Sequence, residues 1–163
     1  MKLPNDIASL ATETIAALKA AGMTVATAES CTGGLIAGAL TSVPGSSDVV
    51  YGGFVTYANE AKIAMIGVPF GLLRQYGAVS EEIALAMADG AIAAAGTHMS
   101  VAVTGVAGPD GGSADKPVGL VHFAVATEGG TTHLRKVFQG NRDEVRHATV
   151  VQALKLVLKA ARS

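Results

Sequence analysis

One cysteine among 163 residues cannot close an internal disulfide. That excludes a disulfide-stapled secreted scaffold and suits a reducing compartment. Aromatic side chains are also scarce, with four Phe, three Tyr and no Trp, so large rings cannot dominate the core. Neither sign of charge is in excess: twelve Lys and Arg against thirteen Asp and Glu leave a net charge of −1. No global field draws the chain to polyanions, and no run of Lys and Arg supplies the local basic patch of a nucleic-acid reader. No apolar stretch approaches the ~18 residues that suggest a membrane span. The amino terminus, Met1-Lys2-Leu3-Pro4-Asn5-Asp6, turns acidic too early for a signal peptide. The expectation is a cytoplasmic protein with no membrane and no nucleic-acid partner.

What is plentiful is small and apolar. Half the residues are hydrophobic, twenty are Gly, and Ala is abundant, so the core should rely on close approach of small side chains. The length suits one domain over residues 1–163, and no repeat, low-complexity tract or linker divides it. Ile7, Ala11, Ile15 and Leu18 recur at helical spacing, with Gly22 as the stop. A buried strand at 24–28 and a helix at 33–41 follow, then a loop at 42–47 and a strand at 49–57. Asn59 is placed to cap a short helix at 60–66, and a second helical piece spans 69–76. Ser80, Glu81 and Glu82 open an Ala-rich helix reaching about residue 95. A strand at 99–103 leads into a glycine-rich loop at 104–117. Strands at 118–127 and 132–138 pair as a hairpin, and a last helix starts near Asn141 with Val150, Leu154 and Val157 as its apolar stripe. Alternating strands and helices give an α/β protein. The hairpin makes its single sheet mixed, flanked by helices as an α/β/α sandwich.

The densest polar chemistry lies at Ala28-Glu29-Ser30-Cys31-Thr32-Gly33-Gly34, between the first strand and the second helix. Ligands of open α/β sheets sit at such strand ends, and a helix start offers N–H groups to an anion. Ser30 is the first candidate nucleophile, although a serine before a helix is more often a cap. A hydroxyl also needs a base to attack an amide, and no Gly-x-Ser-x-Gly points to an α/β-hydrolase. His98, His122, His133 and His147 share no motif or metal-ligand spacing, so no metal is expected. Cys31 ranks below Ser30 because no histidine is near it in sequence. Lys62 is the one basic residue close after a strand end. It is either a solvated helix residue or, if burial lowers its pKa, a base. Tyr57 and Lys62 are one residue too far apart for the Tyr-x-x-x-Lys of short-chain dehydrogenases. The glycine-rich loop lacks the Gly-Lys-Ser/Thr of a P-loop. It is an ordinary excursion or a wall of amides in which Thr104 meets substrate and the Gly105 N–H helps an oxyanion hole. Arg142 and Arg146 fall in the first turns of the last helix, against its dipole. They pair with local carboxylates or await an anion such as a phosphate.

Ala28-Glu29-Ser30-Cys31-Thr32-Gly33-Gly34 resembles the signature of the CinA C-terminal domain family, which includes nicotinamide-nucleotide amidohydrolases. Further blocks agree in order: Gly53 to Lys62, Gly77 to Glu81, Thr104 to Gly112, Lys116 to Gly119, and Gly140-Asn141-Arg142. The resemblance covers nearly the whole chain. It implies a C–N hydrolase acting on a linear amide, which converts nicotinamide mononucleotide and water to nicotinate mononucleotide and ammonia without a cofactor. It also implies a catalytic set of Ser30 as nucleophile, Lys62 as base and Tyr57 as assistant. Glu29, Thr32, Gly33, Asn59, Thr104, Gly105, Arg142 and Arg146 are then the expected substrate contacts. A homo-oligomer acting on this small nucleotide is expected. The rival reading is a non-catalytic module tied to competence or DNA damage.

Overall fold

The computed structural model describes residues 1–163. Helix α1 (Asn5–Ala21) ends at Gly22, whose left-handed φ of 65° breaks the helix and turns the chain into β1 (Val25–Glu29). Helix α2 (Leu35–Thr41) and a single 3-10 turn lead to β2 (Val50–Val55). Helices α3 (Asn59–Ile66), α4 (Phe70–Tyr76) and α5 (Glu81–Ala95) precede β3 (Met99–Gly105). A long loop, the hairpin β4 (Leu120–Thr127) and β5 (Gly130–Val137), and α6 (Arg142–Ala161) complete the chain. The sheet order is β2-β1-β3-β4-β5. β1 is parallel to both β2 and β3, and the other two pairings are antiparallel. The expected mixed sheet flanked by helices is what forms.

Side-chain alternation along the strands sorts the core into two layers. Val25, Val101, Val103, Phe123 and Val125 face α1, α2 and α6. On the other face Ala28, Ala102, Ala124 and Ala126 meet α5. Short side chains let α5 lie close to the strands, and the Ser100 hydroxyl donates to the Ala88 carbonyl at 2.6 Å. The scarcity of aromatics and wealth of alanine are thus concentrated in the α5 layer.

Several boundaries differ from the sequence reading for identifiable reasons. Helix α2 begins at Leu35 because Gly33 and Gly34 hold φ values of 57° and 100°, outside the helical region. Asn59 is the first residue of α3 rather than its cap; Ala58 holds the cap position and no side chain caps it. Strand β3 runs on to Gly105 because it pairs with β4 that far, so Thr104 and Gly105 belong to a strand and the loop starts at Val106. The cap expected at Ser80 forms, its hydroxyl accepting from the Ile83 amide, and the last helix starts where expected, with Asn141 in a capping box with Glu144.

From β1 the chain passes through α2 to β2 on one side. It then crosses back through α3, α4 and α5 to β3 on the other side. The strand order therefore reverses about β1, and the crevice beyond the carboxyl ends of β1 and β3 is where an open α/β sheet holds its ligand.

Candidate active site

That crevice is a cleft of about 310 Å³. Ser30 enters from the end of β1, Tyr57 from just past β2, and Asn59 and Lys62 from α3. Thr104 and Gly105 enter from β3, the glycine-rich loop forms a wall, and Arg142 of α6 closes one side. Ser30 is held by its amide, which donates to the Val103 carbonyl at 3.1 Å, and by its carbonyl, which accepts from the Gly33 amide.

Lys62 sits one turn inside α3, with Ile66 on the same face sinking into the α5 layer. Its side chain is fully buried. The Nζ donates to the Thr56 carbonyl at 2.8 Å, to the Tyr57 carbonyl at 3.3 Å and to Ser30 Oγ at 3.1 Å. No ion pair includes it. Burial holds its pKa below the ordinary lysine value, opposed only by the neighbouring Cys31. The two carbonyls take two N–H groups and leave the third tetrahedral position of the nitrogen aimed at Ser30. When the amine is neutral that position is a lone pair, able to accept the hydroxyl proton.

Cys31, one residue on, is buried in the α1/α6 layer. Burial pushes its thiol up to about 12, so at neutral pH it is a protonated, unreactive core group. Tyr57 is 61% exposed at the rim. Its hydroxyl accepts from Arg142 at 3.3 Å, and only its backbone carbonyl touches Lys62. Thr104 lines the cleft but spends its proton on the Ala78 carbonyl at 2.8 Å, so its hydroxyl can act only as an acceptor toward a ligand.

Four of the expected substrate contacts are not brought to the cleft. Glu29 is fully buried. Its carboxylate accepts from Thr32 Oγ1 at 2.6 Å and from the Ile36 and Ala37 amides at 2.8 and 3.0 Å. It therefore caps α2 from within, and the helix start expected to serve an anion is already filled. Thr32 is buried with its hydroxyl on that carboxylate, and Gly33 lies outside the cleft beneath the Arg146 guanidinium. Arg146 donates to the carbonyls of Cys31 and Thr32. Arg142 instead donates to the Gly108 carbonyl at 2.8 Å and borders the cavity.

The sequence reading missed Ala78 and Val79, which line the cleft from the segment before α5, and Thr56, whose carbonyl orients Lys62. Only Thr56's place beside Tyr57 could have signalled it. Thr56 Oγ1 is also the one buried side-chain oxygen or nitrogen without a hydrogen-bond partner. No group of three His, Cys, Asp or Glu side chains gathers in a metal-binding arrangement, and no helix is long and apolar enough to cross a membrane.

Residues 7–161 match the model of the CinA C-terminal domain. A CinA-like protein of Geobacter metallireducens is 55% identical over 133 residues, covering 82% of this chain and 32% of that protein. One from Anaeromyxobacter dehalogenans is 49% identical over 148 residues, covering 91% and 36%. The chain thus spans about a third of the length of these curated relatives. Among solved structures, the competence/damage inducible protein CihA of Agrobacterium tumefaciens superposes with a TM-score of 0.94 at 51% identity, covering 100% of both chains. The competence damage-inducible protein A (ComA) of Klebsiella pneumoniae gives 0.91 at 37%, covering 95% and 96%. With the family model matched almost end to end, this chain belongs to the CinA C-terminal domain family.

Proposed function

We propose that the chain is a serine amidohydrolase that converts nicotinamide mononucleotide and water to nicotinate mononucleotide and ammonia. The observation that carries the chemistry is the 3.1 Å contact between Ser30 Oγ and a fully buried Lys62 that has no carboxylate partner. The substrate identity comes from the sequence resemblance, and the cleft is compatible with it. A cavity of about 310 Å³ is at the small end of ligand sites and suits part of a mononucleotide.

In this reading neutral Lys62 takes the Ser30 proton as Oγ attacks the carboxamide carbon. The tetrahedral intermediate collapses, and the protonated lysine returns that proton to the departing ammonia. Water then gives a proton to Lys62 and attacks the acyl-enzyme. Collapse releases the carboxylate and restores the Ser30 hydroxyl. The N–H and C=O of one strand residue point to the same side, and that side alternates along the strand. The Val103 carbonyl faces β1, so the Gly105 amide is directed past the end of β1, over Ser30, as an oxyanion donor. Arg142 is the cation available to the substrate phosphate, and the Tyr57 ring lies at the mouth.

Purified protein should release ammonia from nicotinamide mononucleotide, and Ser30→Ala should abolish release while leaving the thermal unfolding temperature within a few degrees. Turnover near wild type in Ser30→Ala overturns the covalent mechanism. No ammonia from wild type, together with nucleic-acid binding that weakens steeply with salt, would favour the non-catalytic reading.

A further inference from the structure

Arg142 and Arg146 stand one turn apart on the same face of α6, yet the structure uses them differently. Arg142 borders the cleft, whereas Arg146 does not. The Arg146 Nε donates to the Cys31 carbonyl at 3.1 Å, and its terminal nitrogen donates to the Thr32 carbonyl at 3.3 Å. Cys31 is buried and its carbonyl has no other partner, while the Thr32 carbonyl also accepts the Leu35 amide. Thr32 is gripped a second time through its hydroxyl on Glu29. These groups form the turn immediately after Ser30, and its next residues, Gly33 and Gly34, are left-handed. Glycines give that turn its shape but little stiffness, so its rigidity must come from tethers. Glu29 supplies one from inside the sheet and Arg146 one from outside.

We propose that Arg146 is a positioning residue. Its guanidinium holds the Ser30 turn at the distance at which Lys62 can take the hydroxyl proton, and it makes no contact with substrate. The proposal rests on Ser30 being the nucleophile and Lys62 its base. It extends that reading by dividing the two arginines into one for the ligand and one for the nucleophile. The planar fork matters because two carbonyls are met at once, which a single ammonium cannot reproduce.

The test uses an alkyl fluorophosphonate, so that it does not depend on knowing the natural substrate. Ser30 Oγ bonds to phosphorus, fluoride leaves, and the hydroxyl proton passes to Lys62; intact mass follows the adduct. Arg146→Ala should slow labelling at least about tenfold, since small misplacements of reacting groups are costly. Guanidinium ion should restore part of the rate, and Arg146→Lys should fall between. Amide hydrogen exchange across residues 31–36 should quicken in Arg146→Ala. Arg162→Ala is the control for losing an arginine near α6, because Arg162, just past the far end of the helix, pairs with Glu13, and it should change neither readout. Where nicotinamide mononucleotide is turned over, kcat should fall with KM within about twofold. Unchanged labelling and exchange in Arg146→Ala overturns the proposal. So does a raised KM with kcat intact, which would make Arg146 an anion ligand. If wild-type Ser30 is not labelled at all, the nucleophile reading fails, and the exchange data alone then decide whether Arg146 holds the turn. Should Arg146→Ala not fold, Arg146→Lys with the same readouts decides.

Discussion

Replacing Lys62 by Met separates the catalytic role of its amine from its effect on stability. The substitution keeps an unbranched side chain of similar length and removes the amine. Losing a general base typically costs about 10²- to 10⁴-fold in rate, so ammonia release should fall by that order. Stability should move far less, because two effects oppose each other. The Thr56 carbonyl, 2.8 Å from Nζ, loses its lysine donor, and an orphaned buried acceptor costs about 1–3 kcal/mol. Against this, the variant no longer has to keep an amine in a site whose burial lowers its pKa. That relief opposes the loss of the hydrogen bond. The two effects have opposite sign, so Lys62→Met should lose less stability than the orphaned carbonyl alone would cost.

The pH dependence fixes the sign. Lys62 has a folded pKa below its unfolded value of about 10.4. Below the folded pKa it is protonated in both states, and the burial penalty is fully present. Between the two values the unfolded chain binds the proton that the native chain has lost, so stability rises with pH. Above both values the penalty is gone. Urea unfolding of both proteins from about pH 6 to about pH 10 should therefore show wild type gaining on Lys62→Met as pH rises. A flat difference would refute a lowered pKa, and with it the claim that neutral Lys62 is the base. In the same window the wild-type rate should fall on the acid side as Lys62 protonates. Lys62→Arg, which cannot accept a proton near neutrality, should be nearly as inactive as Lys62→Met.

Cys31→Ala should retain substantial activity and lose about 1 kcal/mol of stability, because its thiol is a buried protonated group. A folded but inactive Cys31→Ala, measured by ammonia release, would move the nucleophile to the neighbouring residue. Gly90→Ala should destabilise by about 3 kcal/mol although alanine favours a helix by about 1 kcal/mol. An added Cβ at Gly90 would overlap the Ile66 carbonyl oxygen, and an unchanged urea midpoint would contradict that close crossing of α5 and α3.

How far the sequence revealed the site depended on the range of each contact. The strand, turn and helix around Ser30 were legible because periodicity and paired glycines are local signals. Ser80 could be read as a cap for the same reason. The role of Glu29 could not, since its partners Ile36 and Ala37 lie across a turn whose geometry depends on two left-handed glycines. Arg146 meets carbonyls on the far side of the sequence, which no local pattern encodes. Lys62 looked like an ordinary helix lysine because its short helix, with apolar residues on more than one side, has little amphipathic contrast. Its burial follows from where β1, β2 and α3 converge. Asn59 misled because a good capping residue lay one position inside the helix that forms.

One consequence of the Glu29 arrangement reaches the chemistry. A carboxylate on the Ile36 and Ala37 amides removes the start of α2 as a place to stabilise negative charge, so an oxyanion on Ser30 is met by the amides of its own turn or from the β3 side. Gly105 is the residue there, yet the structure gives it a packing reason to be glycine that is independent of catalysis. A Cβ at Gly105 would stand 2.7 Å from both the Leu120 carbonyl oxygen and Val121 Cγ2. Gly105→Ala would therefore push β3 off β4 and lower activity whether or not its amide touches the substrate. The amide has to be tested without adding a side chain, by replacing that one peptide bond with an ester in semisynthetic protein. Removal of an oxyanion donor costs about 10²- to 10³-fold in kcat, and a kcat within about twofold of wild type would send the search to the Cys31 and Thr32 amides of the Ser30 turn and to the glycine-rich loop beyond Val106.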